Sequence, residues 1–144
     1  MRTPEVPVFH VIVDGANVVG SRPDGWWRDR PGAARRLAGK LSAALTAGPA
    51  LLAQGLGREA ADEDVRVHLV LEGAAAQVED LPTHPLLDVV HAPADGDSAI
   101  AALAADLAVE PVLVVTADRG LRARVRSTGA GTVGPEMLLR TLPG

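Results

Sequence analysis

Short apolar runs alternate with longer segments of helical periodicity along most of the chain. Runs rich in β-branched residues predict strands at residues 8–13, 65–71, 87–91, 112–116 and 131–133. The first run is almost continuously apolar, which is typical of a strand that helices cover on both faces. A polar loop is predicted after it.

Helical patterns fill most of the spaces between these runs, at residues 31–46, 97–107, 118–127 and 135–142. The first has an apolar stripe at Leu37, Leu41 and Leu45, with Pro31 suited to its first turn. Right-handed crossovers through such helices make the strands parallel. We therefore predict an α/β fold, a three-layer Rossmann-like sandwich with a mostly parallel central sheet and helices on both faces. The strand order and residues 48–64 stay open.

Length and composition narrow the possible functions. The 144 residues suit a single domain spanning 1–144, and 47% hydrophobic residues exclude disorder. The chain has no cysteine, which excludes disulfides and cysteine-bound zinc. The only lysine, Lys40, is followed by Leu41, so the chain has no P-loop. No apolar stretch is long enough for a membrane span, and we expect no membrane partner and a cytoplasmic location.

Acidic residues follow each of the first four predicted strands. Asp14 and Glu72 come directly after the first two, and Asp95, Asp97 and Asp118 follow the next two. The carboxyl ends of parallel strands share one edge of a sheet, where ligands bind. Two carboxylates 4 Å apart repel by roughly 4 kcal/mol at an effective dielectric near 20, so such a cluster favours a cation. Oxygen ligands suit Mg²⁺ or Mn²⁺, which promote phosphodiester hydrolysis.

Each of these acids also has a structural interpretation. Asp97 and Asp118 are candidates for helix N-caps, since each begins a predicted helix. Asp14 and Gly15 form a common turn dipeptide, and Glu72 could be a solvated surface residue. The run 62–64 is typical of a solvated acidic loop. The coincidence of several acids at one edge favours a functional site.

Five segments, in order, resemble the NYN domain family of PIN-like ribonucleases: VIVDGANVVG, VLEG, ADGDSAIAALA, VLVVTADRGL and GAGTVGPEMLL. The likeness extends from about residue 8 to residue 142. It implies a PIN-like fold and metal-dependent endoribonuclease activity. It also implies that Asp14, Asp97 and Asp118 bind the metal, with Asn17 as a polar catalytic residue beside the first acid.

The resemblance has local departures. Gly96 stands before Asp97 where the family pattern has alanine, and Asp95 adds a further acid. Glu72 stands where relatives often carry aspartate. Glu72 and Asp95 are therefore additional candidates for metal binding.

Basic and aromatic residues could hold a nucleic acid, preferably single-stranded RNA. Aromatic side chains stack on unpaired bases, and arginines contact phosphates. Of the adjacent residues Trp26 and Trp27, we expect one to anchor its loop and the other to stack on a base. Arg124 lies on a different face of its helix from the candidate arginines. Thr116 could contact a phosphate or could simply be the last residue of its strand. The candidates are Trp26, Trp27, Arg28, Thr116, Arg119, Arg122 and Arg126.

Rival functions remain at this stage. The main alternative is a PIN-like module that binds RNA or a protein partner without cleavage. The DxD pattern of Asp95 and Asp97 also fits a topoisomerase–primase-like site, but that leaves DGAN and TADRGL unexplained. A haloacid-dehalogenase-like phosphatase would need DxD at the first strand. The histidines lack metal-ligand spacing, and we assign them no catalytic role.

Overall fold

Five strands pair in parallel in the computed structural model, which describes residues 6–143. The sheet order is β3-β2-β1-β4-β5. The strands are β1 (Phe9–Asp14), β2 (Val65–Leu71), β3 (Leu87–His91), β4 (Val112–Val115) and β5 (Gly131–Val133). All five were predicted, within a residue at each end. The prediction of a single domain over 1–144 includes residues 1–5 and 144, which lie outside the described residues.

Helices cover both faces of the sheet. They are α1 (Gly15–Gly20), α2 (Arg30–Ala47), α3 (Pro49–Gly55), α4 (Gly96–Asp106), α5 (Arg119–Arg126) and α6 (Pro135–Thr141). Successive residues of a strand point to opposite faces. Accordingly, Val11 and Val13 pack with α2, α3 and α6, while Ile12 packs with α4 and α5. The predicted three-layer sandwich is confirmed.

Two helices were absent from the prediction. Residues 15–20 were expected to be a polar loop, yet they form α1, which begins at Asp14 as its N-cap. The unplaced segment contains α3, and the Asp62 carboxylate accepts a hydrogen bond from the Ala50 amide near its start. The acidic run is therefore not simply solvated, since Asp64 is also buried. No helix among residues 6–143 is long and apolar enough to cross a membrane.

Candidate functional site

The sheet reverses its order of strand addition at β1. From β1 the chain adds β2 and β3 on one side, and β4 and β5 on the other. In open parallel sheets, ligands bind beyond the carboxyl ends of the strands at such a switch point. Asp14 is the last residue of β1 and pairs in register with Val70 of β2. The Asp14 carboxylate therefore lies at the position where open parallel sheets most often bind ligands.

Asp14 is a buried acid, and the residue that follows it, Gly15, is closely packed against β2. Gly15 follows it because a Cβ there would lie only 2.6 Å from the Val70 carbonyl oxygen. The Asp14 carboxylate accepts hydrogen bonds from the Thr116 hydroxyl at 2.8 Å and from the Asn17 amide at 3.3 Å. Burial raises the pKa of Asp14. The two hydrogen bonds oppose this rise, and the charges of Asp97 and Glu72 add to it.

Thr116 lies behind the acids. Its side chain is fully buried, and its hydroxyl also accepts a hydrogen bond from the Asp118 amide at 3.1 Å. The prediction that Thr116 contacts a nucleic acid therefore does not fit its position. Instead, its hydroxyl joins Asp14 to the start of α5, where the Asp118 carboxylate caps the helix by accepting from the Leu121 amide. The N-cap predicted for Asp118 is present, and the residue is exposed at the same edge.

Asn17 connects two of the segments that carry acids. Its side-chain oxygen accepts a hydrogen bond from the Ala117 amide at 2.8 Å. Since Ala117 lies between Thr116 and Asp118, this bond fastens α1 to the loop after β4. Asn17 is beside the first acid, as the family resemblance implied. Its side chain helps to position the loop that carries Asp118.

The two aspartates near α4 have exchanged the roles that the sequence suggested. Asp95 is the N-cap, and its carboxylate accepts from the Ser98 amide at 2.7 Å. The bonds from Ser98 lower the pKa of Asp95. The N-cap interpretation of Asp97 is wrong, because α4 begins one residue before it.

Asp97 is left without a structural partner. Among residues 6–143 its carboxylate has no hydrogen bond or ion pair. Partial burial raises its pKa, and the charges of Asp118, Glu72 and Asp95 raise it further. Arg124 opposes this rise. The fold thus holds Asp97 among four other acids, Asp14, Glu72, Asp95 and Asp118, with no hydrogen bond or ion pair to any described residue.

Glu72 reaches the same edge from β2. One carboxylate oxygen accepts a hydrogen bond from the Gly96 amide at 2.9 Å, at the start of α4. A Cβ on residue 96 would lie 3.3 Å from that carboxyl group. An alanine at position 96 would therefore be in tight contact with the Glu72 carboxyl group, which would have to shift slightly. The extra length of glutamate and the absence of a side chain at Gly96 accommodate each other.

The donor set fits a hard divalent cation in chemistry but forms no closed cage. The candidate ligands Asp14, Asp97, Asp118 and Glu72 offer only carboxylate oxygens, as Mg²⁺ and Mn²⁺ prefer. No group of three or more acidic or histidine side chains in the described part of the chain is close enough to enclose an ion. Mg²⁺ commonly takes one or two carboxylates and keeps several waters.

Arg119, Arg122 and Arg126 of α5 were predicted to contact a nucleic acid, but two of them have hydrogen bonds within the protein. Arg122 donates to the Thr116 carbonyl at 2.8 Å, and Arg126 donates to the Thr132 hydroxyl at 2.9 Å. Arg122 therefore contacts the residue that follows β4, and Arg126 contacts β5, while Arg119 is exposed and has no such hydrogen bond among the described residues. Arg124, which the sequence analysis placed on another face, is the arginine whose charge acts on Asp95 and Asp97. Sequence spacing along α5 alone could not reveal this, because it depends on how α4 packs against α5.

The two tryptophans lie in a 3₁₀ turn, Trp26–Arg28, with their rings edge to face at a centroid distance of 6.0 Å. Trp27 is 52% exposed and has the Arg28 guanidinium 5.8 Å from its ring. Trp26 is half-buried and has Arg30 at 5.6 Å. It lines a cavity of about 510 Å³ that also reaches Glu72 and Asp95. Trp26 is the more anchored of the pair, and its ring faces the candidate site.

No protein-family model matches this chain, and no curated protein matches it. Among solved structures it is similar to a crystal structure of a mutant form of Rae1 (YacP) from Bacillus subtilis. The two chains share 20% sequence identity with a TM-score of 0.58, and the match covers 91% of this chain and 72% of that one. At this identity the likeness establishes the fold. The predicted α/β architecture with a parallel central sheet is confirmed.

Proposed function

We propose that this chain is a metal-dependent ribonuclease of the NYN type that cleaves single-stranded RNA in the cytoplasm. The observation that carries the proposal is the buried Asp14 carboxylate at the switch point of the sheet, whose pKa is raised by burial and by Asp97 and Glu72. Perturbed carboxyl groups gathered at a ligand-binding edge are typical of functional sites. Asp14, Asp97 and Asp118 are the proposed metal ligands, with Glu72 and Asp95 as further candidates.

The acid cluster has no sufficient structural explanation. Asp95 and Asp118 cap helices, but Asp97 caps nothing and lies where neighbouring acids repel it. An acid retained under repulsion costs stability unless a cation or protons compensate. A functional role would explain why an aspartate is present at position 97, whereas helix capping does not explain it.

The proposed chemistry is hydrolysis of a phosphodiester bond. A bound Mg²⁺ or Mn²⁺ would supply an activated water and neutralise charge on the phosphate and leaving oxygen. Within the chain, Thr116 and the amide of Asn17 orient the Asp14 carboxylate. The Asn17 side chain holds the loop that carries Asp118. Arg124 offers a cation beside Asp97, where a phosphate would approach.

Single-stranded RNA is the proposed substrate for two reasons. The sequence resembles the NYN domain family of PIN-like ribonucleases along most of its length. In addition, Trp26 and Arg30 line a cavity with Glu72 and Asp95, and Trp27 and Arg28 adjoin Trp26, a combination that suits stacked bases and their phosphates. Arg119 is an exposed arginine at the start of α5 that could extend this contact.

A module that binds RNA or a protein partner without cleavage is the second candidate. The open arrangement of the acids, which does not enclose an ion by itself among residues 6–143, favours it. Binding of RNA with no cleavage in the presence of Mn²⁺ would support this candidate.

The direct test is cleavage of an end-labelled single-stranded RNA by purified protein with Mn²⁺ or Mg²⁺. We expect Asp14→Asn and Asp97→Asn each to reduce the rate by about 100-fold or more, because each removes a charge that holds the metal and the transition state. Asp106→Asn, at the far end of α4, is the matched control and should keep the wild-type rate. Cleavage that survives both site substitutions would come from a contaminant and contradict the proposal.

A further inference from the structure

The cavity beside the acids has the composition of a ligand site. Its volume of about 510 Å³ lies within the ~300–1,000 Å³ typical of small-molecule pockets. Ala16, Trp26, Leu71 and Ala94 give it apolar walls, and Glu72 lies at its border with the acid cluster. The cavity therefore adjoins the proposed catalytic edge through Glu72, whose charge acts on Asp14 and Asp97.

We infer that this cavity binds one unpaired base of the RNA, next to the bond that is cleaved. The inference rests on the proposed function for the identity of the polymer. An aromatic wall and small aliphatic neighbours suit the flat face of a base, and stacking on an aromatic side chain is worth about 1–3 kcal/mol. Trp26 supplies that wall, and its ring lies beside the end of α1, where a Cβ on Gly20 would be 3.6 Å from it.

The polar groups of the cavity favour particular bases. The second carboxylate oxygen of Glu72 has no hydrogen-bond partner among the described residues, and it can only accept. Asp95 adds a second acidic side chain to the lining. Adenine, cytosine and guanine present an amino group to such acceptors. Uracil presents an N–H flanked by two carbonyl oxygens, which the carboxylates would repel.

The rim of the cavity supplies the charge that a nucleotide needs. Arg30 lines the cavity, and its guanidinium lies 5.6 Å from the centre of the Trp26 ring. Arginine contacts phosphates through several donors in a fixed geometry. A base stacked on Trp26 would thus have its own phosphate within reach of Arg30 and the following bond near the acids.

The composition of the chain allows a specific optical test. It has two tryptophans and no tyrosine, so Trp27→Phe leaves Trp26 as the only strong fluorophore. In a protein that also carries Asp97→Asn to prevent cleavage, we expect short oligo(A) to quench Trp26 emission saturably. Oligo(A) with abasic sites and oligo(U) should bind about 5- to 150-fold more weakly, which is 1–3 kcal/mol expressed as affinity.

A second variant blocks the cavity from its exposed rim. Ala94→Phe should weaken binding of oligo(A), measured by anisotropy of labelled RNA, whereas Ala102→Phe on the exposed side of α4 should not. RNA that binds with unchanged Trp26 emission and unchanged affinity in Ala94→Phe would overturn the inference and leave the proposed function intact. If no RNA binds, the proposed function fails, and AMP then tests the cavity alone: quenching supports a base site, and its absence overturns it.

Discussion

Asp95 and Asp97 are separated by one residue and have opposite surroundings. Asp95 accepts two hydrogen bonds from Ser98 and caps α4. Asp97 accepts none from the described residues and is surrounded by acidic side chains that raise its pKa. The carboxylate of Asp95 therefore stabilises the fold, whereas the carboxylate of Asp97 is repelled by its acidic neighbours.

This contrast predicts opposite effects on stability in EDTA. Asp97→Asn should raise the melting temperature by about 1–3 °C, since a raised pKa means that the folded state disfavours the charge. Asp95→Ala should lower stability by about 1 kcal/mol through loss of the cap. Thermal unfolding followed by circular dichroism measures both.

The metal supplies the control for this pair. Saturating Mn²⁺ should raise the wild-type midpoint by binding the folded state, and it should raise that of Asp97→Asn less. A lower midpoint for Asp97→Asn in EDTA would mean that the acid is structural. An unchanged wild-type midpoint with Mn²⁺ would argue against any metal site.

Much of the site could be predicted residue by residue, because strand ends are visible in the apolar pattern. Asp14, Glu72 and Asp118 follow directly from the parallel sheet. The exchange between Asp95 and Asp97 could not be predicted, since both can cap a helix that starts within one residue. The role of Thr116 also depends on contacts across 102 residues of sequence, which periodicity does not encode.

At the scale of elements, the junction of β1 and α1 positions the first acid. The chain turns directly from strand to helix at Gly15, which lies against β2. The turn leaves no room for a side chain, and it directs the Asp14 carboxylate toward Thr116.

We expect Gly15→Ala to reduce the free energy of unfolding by about 1–3 kcal/mol, because its Cβ would have to displace backbone at Val70. The same shift should move Asp14 and lower nuclease activity. Gly20→Ala, at the other end of α1, is the matched control. A Cβ there would lie 3.6 Å from Trp26, an ordinary contact, so stability should be unchanged or slightly higher. Urea denaturation compares the two, and equal midpoints would contradict the steric argument.

The elements that the pattern missed are short and depend on distant partners. Helix α1 has six residues, and its start is fixed by Asp14, which the sequence also allows as a simple turn. Helix α3 has seven residues, with the Asp62 side chain accepting from the Ala50 amide. Too few residues are present in either helix for a periodic signal. The long helix α2, in contrast, carries a full apolar stripe and was predicted to within one residue at each end.

At the scale of the whole molecule, ionisable groups occupy two parts of the sheet. The acids lie at the carboxyl edge, while His10 and His68 lie earlier in β1 and β2, buried side by side with their ring nitrogens 2.9 Å apart. His10 also pairs with Glu110 at 3.2 Å, and His68 has Asp88 at 3.7 Å. The sheet thus carries buried ionisable side chains both at its carboxyl edge and within β1 and β2.

The pKa of His68 is lowered to about 4, chiefly by burial and also by the charges of His10 and Arg66, while Asp88 opposes the shift. Between pH 6.5 and about 4 the unfolded chain therefore binds more protons at this residue than the folded one, and stability falls as the pH falls. The full shift corresponds to a loss on the order of 3 kcal/mol. The raised pKa values of Asp14 and Asp97 act in the opposite sense in metal-free protein, since protonation relieves their repulsion.

We therefore expect the free energy of unfolding to decline between pH 7 and pH 4.5, and to decline distinctly less in His68→Gln, which keeps a hydrogen-bonding side chain but cannot titrate. Urea denaturation in EDTA at the two pH values measures this difference. The exposed His91→Gln is the control and should follow the wild type. Equal losses in the wild type and His68→Gln would show that the buried histidine does not set the acid sensitivity. The decline would then have to arise from other groups, because the raised pKa values of Asp14 and Asp97 change stability in the other direction.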